Sequence, residues 1–235
     1  KKPKSDLLFH SDTLQKLVGE KLDYLLKKEN KYKGFNGSVL VSKNDSILFT
    51  GYYGMADFKE KKQIDSNSVF QLASVSKQFT ATAIMILHEK KQININDKVT
   101  KYFPEFPYEK VTIEQLLNHT SGLPSYFYLA EKKWDHPKPP LNHEMIEMFE
   151  KHHPYRYFRP GRSFKYSNSG YIVLASIVEK VTGNTLDNFM QENIFEPLNM
   201  TNTFVYRARE DSTKENQLLG YRGSSWRKRK VIDPY

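Results

Sequence analysis

The sequence contains no cysteine. That excludes a disulfide framework, thiol catalysis and cysteine-bound zinc. Long apolar runs are missing as well: no stretch approaches the ~18 apolar residues that a membrane-spanning helix requires. The apolar fraction is 38% and the mean hydropathy −0.67, the profile of a soluble chain. No His-Glu-x-x-His occurs, and His152-His153 lacks a partner at ligand spacing, so no metal and no cofactor is expected. No signal-peptide pattern is visible, and Lys1-Lys-Pro-Lys-Ser-Asp6 reads as the tethering start of a mature or trimmed chain. Internal repeats and low-complexity segments are absent too.

Acidic residues are outnumbered. Lys and Arg total 36 against 27 Asp and Glu, a net charge of +9. Such a balance suits acidic surfaces, anionic polymers or carboxylate substrates. The lysines are spread along the chain, however, and Trp226-Arg-Lys-Arg-Lys230 is the one real cluster, read as a solvated loop or exposed strand. A nucleic-acid reading rests on that cluster and the net charge alone and would predict steeply salt-dependent binding. No nucleic-acid partner is expected.

The 235 residues suffice for one large domain or two small intertwined ones. Residues 11–30 read as an amphipathic helix with a core stripe of Leu14, Leu17, Val18, Leu22, Leu25 and Leu26. Residues 35–53 read as a hairpin around an Asn-Asp turn, with Gly51 and Gly54 marking a bulge or an exit from the sheet. Lys59 to Asp65 reads as a loop. The run from Phe79 to Lys90 is apolar nearly all round, hence a buried helix. Thr112-Ile-Glu-Gln115 is a capping-box start to a short helix. Residues 125–140, rich in aromatics and proline, read as a long loop, and 142–152 as a helix. Further helices are expected at 171–180, stopping at Gly183, and at 185–195. Short strands are expected at 203–206 and 230–233.

Chemistry concentrates at Phe70-Gln-Leu-Ala-Ser74-Val-Ser-Lys77. A serine three residues before a lysine shares one face of a first helical turn with it. A serine hydroxyl needs a base to become a nucleophile, and an unprotonated lysine in a dry pocket can serve. Burial of the helix would lower the lysine's pKa. Free N–H groups at a helix start favour a developing oxyanion. Alone, the pair equally describes a serine near an N-cap followed by a solvated lysine.

Tyr166-Ser-Asn168 supplies a second pair, placed on a loop before a helix. In extended backbone, residues i and i+2 project to one side. A tyrosine near a lysine cation can relay a proton, and an asparagine amide can hold both a lysine and a substrate carbonyl.

In order, Ser74-Val-Ser-Lys77-Gln-Phe-Thr-Ala81, Leu116-Leu-Asn-His-Thr-Ser-Gly-Leu-Pro124 and Phe158-Arg-Pro-Gly-Arg-Ser-Phe-Lys-Tyr166-Ser-Asn168-Ser-Gly-Tyr171 closely resemble the serine β-lactamase and penicillin-binding-protein-like superfamily, in its class C β-lactamase, D-alanyl carboxypeptidase and esterase branch. The resemblance runs from about residue 35 to about residue 205. It implies an α+β fold, an antiparallel sheet flanked by helices with an inserted all-helical region. Residues 1–68 would be the first helix and hairpin of the sheet domain, 69–202 the helical region with the motifs, and 203–235 the return to the sheet. By position, Ser74 matches the acylated serine, Lys77 the lysine of Ser-x-x-Lys, and Tyr166 and Asn168 the Tyr-x-Asn motif. The implied reaction is acyl transfer from an amide, lactam or ester carbonyl through a Ser74 acyl-enzyme. The Ser74 N–H would be one oxyanion donor, and either Lys77 or Tyr166 the principal base.

The superfamily's third motif, Lys or His, then a small or hydroxyl residue, then Gly, is not found downstream of Asn168. His119-Thr-Ser-Gly122 comes too early, and Val181-Thr-Gly183 closes a helix. The resemblance therefore implies an apparently truncated member, poorly active alone, whose sheet a missing C-terminal segment or a second chain would complete. A small-molecule or peptide substrate, cell-wall peptide or β-lactam, and a periplasmic or otherwise extracytoplasmic location are implied as well. The competing reading is a catalytically silent member that binds peptide or cell-wall ligands.

Overall fold

The fold is that of a computed structural model, which describes residues 7–206, 216–222 and 230–232. It divides into two units: residues up to 71 with the described residues from 216 onward, and residues 72–206.

The first unit opens with helix α1 (Leu7–Lys33), which packs on strand β2 of an antiparallel hairpin, β1 (Gly37–Lys43) and β2 (Ser46–Tyr53). Asn44 and Asp45 have φ of 49° and 61°. Positive φ at both central residues is what a two-residue hairpin turn matching the strand twist requires. Tyr53 at the end of β2 donates to Asp23 on α1 at 3.0 Å, and Lys27 reaches the same carboxylate at 2.6 Å. These bonds hold the Asp23 carboxyl below its ordinary range.

Two expectations change here. The register slip lies between Val41 and Ser42, not at Gly51. Leu17 and Leu25, assigned to the core stripe, are 48% and 49% exposed, while Val18, Leu22 and Leu26 are half-buried. A two-stranded sheet is too narrow to cover the whole stripe of a helix this long. Leu40 and Ile47 on the hairpin are exposed as well. Leu14 lies outside the residues whose side chains are described.

Residues 59–65, expected as a loop, contain a strand. Short β3 (Met55–Asp57) pairs with β4 (Lys62–Gln63). Gly54 marks the exit from β2, as expected, and its φ is +89°. The Asn36 side chain fills the space beside it, donating to the Met55 carbonyl and accepting from the Met55 N–H at 2.9 and 2.6 Å. A Cβ on Gly54 would lie 1.9 Å from the Asn36 Oδ1. Residues 203–206 form no strand, whereas 230–232 form β6 (Lys230–Ile232), paired with β5 (Gly220–Arg222). Residues 226–229 of the basic cluster lie outside the described residues.

The second unit is helical. It comprises α2 (Lys77–Glu89), α3 (Ile113–Leu117), α4 (Tyr126–Lys132), α5 (Asn142–His152), α6 (Asn168–Thr182) and α7 (Leu186–Met190), which continues as a π-type turn over Gln191–Phe195. Helix α4 replaces part of the expected 125–140 loop. Helix α6 is the central element: Val173, Leu174, Ile177 and Val178 are fully buried, and it packs on α2, α3 and α5. From α2 the core takes Ala83, Ile84 and Leu87, but Met85 is exposed, so α2 is buried on one side rather than all round. At about 25 cal/mol per Å² of apolar surface, each buried leucine or isoleucine stabilises by roughly 1.5–3 kcal/mol.

The expected capping box holds at α3: Thr112 Oγ1 accepts from the Gln115 N–H at 3.3 Å, and Gln115 Oε1 accepts from the Thr112 N–H at 3.1 Å. After α3 the chain reverses into 119–122, which is hydrogen-bonded to the segment 157–167. Tyr157 donates to the Gly122 carbonyl at 2.8 Å, Gly161 to Thr120 at 2.9 Å and Lys165 to His119 at 3.0 Å. Gly122 has φ +72°, and a Cβ there would lie 2.3 Å from the Phe158 carbonyl oxygen. Only glycine meets both conditions. Gly122→Ala should therefore destabilise the second unit by about 2–4 kcal/mol, from left-handed backbone strain plus overpacking. Urea unfolding checks this, and an unchanged midpoint would contradict the packing described.

Candidate active site

The candidate site lies entirely within the second unit. Ser74 sits in a 3₁₀ turn, Ala73–Ser76, that leads directly into α2. Ala73 has φ +46°, an uncommon conformation for a residue with a Cβ, so the backbone is sharply turned just before the serine. Lys77 is the first residue of α2, one turn on, and is half-buried.

Ser167 caps α6, its Oγ accepting from the Gly170 N–H at 3.2 Å. Asn168 is therefore the first residue of α6 and not a loop residue as expected, while Tyr166 stands just before the cap. The buried Ser169 hydroxyl donates to the Pro124 carbonyl at 2.6 Å and accepts from the Tyr126 N–H at 2.9 Å. This ties the start of α6 to the segment that opens α4.

All four residues singled out in the sequence meet. Lys77 Nζ donates to Asn168 Oδ1 at 2.7 Å and to Ser74 Oγ at 3.2 Å. Tyr166 Oη and Ser74 Oγ are 2.7 Å apart, a hydrogen bond in which either hydroxyl can donate. The ammonium also lies 5.0 Å from the Tyr166 ring centroid and 5.4 Å from that of Tyr171. Cations over aromatic faces at such distances are attracted by the ring quadrupole. Ser74, Lys77, Asn168 and Tyr171 line one open cleft with Tyr126 and Asn142.

The electrostatics follow from this geometry. The Lys77 ammonium, and then the Ser74 hydrogen bond, hold the Tyr166 phenol below its ordinary pKa, although burial opposes them. Half of Tyr166 remains exposed, so solvent screens the effect. Tyr171 behaves oppositely: burial, then the neighbouring Tyr166, raises its phenol pKa. Among the described residues no group of three or more His, Cys, Asp or Glu side chains converges as a metal site, and no helix is long and apolar enough to cross a membrane.

Three contributors were not singled out in the sequence. In the sequence Tyr171 reads only as the end of the Phe158–Tyr171 motif and the start of a helix, and Tyr126 as part of a loop. His119 reads in the sequence only as part of His119-Thr-Ser-Gly122, yet its ring stands 4.6 Å from that of Tyr166. Its signal was its place in His119-Thr-Ser-Gly122; its contacts are tertiary.

A Ser-x-x-Lys turn at a helix start, met by a Tyr-x-Asn segment at the start of a second helix within an α+β frame, defines the class of the serine β-lactamases and penicillin-binding proteins. The family model for Beta-lactamase matches residues 15–234, and the chain belongs to that family. It is 40% identical over 200 residues to penicillin-binding protein 4* of Bacillus subtilis, an alignment covering 85% of this chain and 42% of that protein. The chain thus spans less than half the length of this curated relative. Among solved structures it is similar to a penicillin-binding protein from Bacillus halodurans, with TM-score 0.75, 28% identity, 87% of this chain and 62% of the other covered. It is also similar to the D-amino acid amidase of Ochrobactrum anthropi, with TM-score 0.67, 25% identity and coverages of 83% and 55%.

The position of Lys77 carries a prediction about Tyr166. By ¹³Cζ-tyrosine NMR, one resonance, absent in Tyr166→Phe, should ionise below the ordinary value of 10.0. Lys77→Ala should return it toward that value. A Tyr166 titration indifferent to Lys77 would contradict the geometry.

Proposed function

We propose that the chain works as an active-site serine hydrolase, with Ser74 as the nucleophile toward an amide, lactam or ester carbonyl. The observation that carries this reading is the double contact on Ser74 Oγ, 2.7 Å from Tyr166 Oη and 3.2 Å from Lys77 Nζ. A hydroxyl in contact with both a phenol of lowered pKa and an ammonium has, once that phenol is ionised, an acceptor for its proton and a cation for the charge that develops.

With Tyr166 ionised, Ser74 Oγ attacks the carbonyl carbon while its proton passes to the Tyr166 phenolate oxygen. The tetrahedral oxyanion collapses, the leaving nitrogen or oxygen takes the proton from Tyr166, and Ser74 carries the acyl group. Water, deprotonated by the same phenolate, then releases the acid and returns the proton to Ser74. Lys77 stays charged throughout, stabilising the phenolate, and Asn168 holds Lys77 through Oδ1, which leaves its amide N–H groups for a substrate carbonyl. Of the two bases the motif allows, Tyr166 is the one assigned here, because its oxygen lies 2.7 Å from Ser74 Oγ against 3.2 Å for Lys77 Nζ. A general base of this kind contributes about 10²–10⁴ in rate. The Ser74 N–H, at the turn before α2, is the proposed first oxyanion donor.

Small-molecule or peptide substrates suit the family, and the named relatives point to penicillins and D-amino acid amides as the first compounds to try. An extracytoplasmic place of action is part of this reading and is supported by the chain's membership of the family. A second reading is a silent member that binds peptide or cell-wall ligands in the open cleft lined by Ser74, Lys77, Asn168 and Tyr171.

Intact-mass analysis after exposure to penicillin and, separately, to a fluorophosphonate distinguishes the two readings. The hydrolase reading predicts a mass increase of one acyl or phosphonyl adduct that vanishes in Ser74→Ala. In Tyr166→Phe the adduct should form about 10²–10⁴ times more slowly. No adduct with either probe overturns the hydrolase reading in favour of the binder.

A further inference from the structure

His119 stands where α3 ends and the chain turns toward the site, with φ +59°. Such a conformation in a residue with a Cβ persists where the surroundings over-determine it. Here they do. The His119 carbonyl accepts from the Lys165 N–H at 3.0 Å, and its Nδ1 accepts from the Ser167 N–H at 3.1 Å. The two residues flanking Tyr166 are therefore both hydrogen-bonded to this one histidine. Its ring also lies against Tyr166, with centroids 4.6 Å apart and planes at 36°, and against Tyr171 at 5.2 Å. Phe164 closes the edge at 6.0 Å.

We infer that His119, in its neutral form with the proton on Nε2, is the positioning residue that clamps Tyr166 over Ser74. The inference rests on the acyl-transfer reading above for its importance, but not for its geometry. A backbone N–H can donate only to an unprotonated ring nitrogen, so the Ser167 bond selects the Nε2–H tautomer. Protonation would set two donors face to face. It would also place a second cation beside Lys77, which lies over the two tyrosine rings that His119 touches. The titratable groups facing His119 are thus Lys77, Tyr166 and Tyr171.

Burial, then the Lys77 cation, push the His119 pKa below the ordinary imidazole value. The sign follows: the clamp is intact at neutral pH and is lost only as the pH falls through that lowered value. Below it, Ser167 loses its acceptor and Tyr166 its fixed distance to Ser74. A misplacement of about 1 Å can cost on the order of 10²-fold in rate.

The test has two parts. ¹⁵N NMR of labelled imidazoles in the 235-residue chain, with His119 assigned by His119→Gln, should show an Nε2–H tautomer titrating below 6.5. An Nδ1–H tautomer, or titration at or above that value, overturns the inference. The second part follows fluorophosphonate labelling of Ser74 in two substitutions. His119→Asn keeps an acceptor near Nδ1 and tolerates positive φ, so its labelling constant should stay within about threefold of wild type, with no acid loss attributable to this position. His119→Phe keeps a ring but no acceptor, and its maximal rate should fall about tenfold or more with half-saturation unchanged. Equal rates in His119→Phe and wild type, or equal losses in both variants, overturn the clamp. If wild type is not labelled at all, it is the acyl-transfer reading that fails. The clamp is then read from the Tyr166 phenol, whose ionisation should rise in His119→Phe and hold in His119→Asn; any other pattern overturns it.

Discussion

One ammonium group organises the second unit's polar chemistry. Lys77 Nζ reaches Asn168 Oδ1 and Ser74 Oγ at once, beneath the faces of Tyr166 and Tyr171. These partners come from two helix starts more than ninety residues apart in sequence. Without the cation, Tyr166 would lose the larger of the two interactions that lower its phenol pKa, and Asn168 would lose its charged partner. The bonds to an ionised donor are also the stronger kind, worth roughly twice a neutral pair.

What holds the ammonium in place is apolar. Helices α2 and α6 each carry the polar groups in the first turn and the buried stripe further along. Packing of Ala83, Ile84 and Leu87 on α2 with Val173, Leu174 and Ile177 on α6 belongs to one continuous core. The helix starts therefore meet because the helix bodies do. Each start also carries the positive end of a helix dipole, suited to a developing oxyanion. The 119–122 segment adds the third support, hydrogen-bonding to the chain on either side of Tyr166.

The parts of this arrangement that depend on short spacing are legible in the residues. Ser74 and Lys77 three apart, Tyr166 and Asn168 two apart, the capping box at Thr112 and the Asn44-Asp45 turn all express local geometry, and all are found. Helix α4 is not legible, because its Tyr126-Phe-Tyr run between prolines carries no helical period. Asn168 reads as a loop residue because the cap that starts α6, Ser167, has no capping-box glutamate to announce it. The stripe of α1 is legible as a helix, but which leucines it buries depends on how wide a sheet lies beneath. His119 is the clearest case: its ring and carbonyl act through residues almost fifty positions away, and no local pattern encodes that.

The central claim is that Ser74, Lys77 and Tyr166 act as one hydrogen-bonded unit. A double-mutant cycle on the acylation rate constant tests it most directly, comparing wild type, Lys77→Ala, Tyr166→Phe and the double variant. Groups that act as a unit are strongly non-additive. The account predicts that the double variant is little slower than the worse single one, since each substitution already disables the same proton transfer. Losses that multiply, as for two independent contributions, would contradict it.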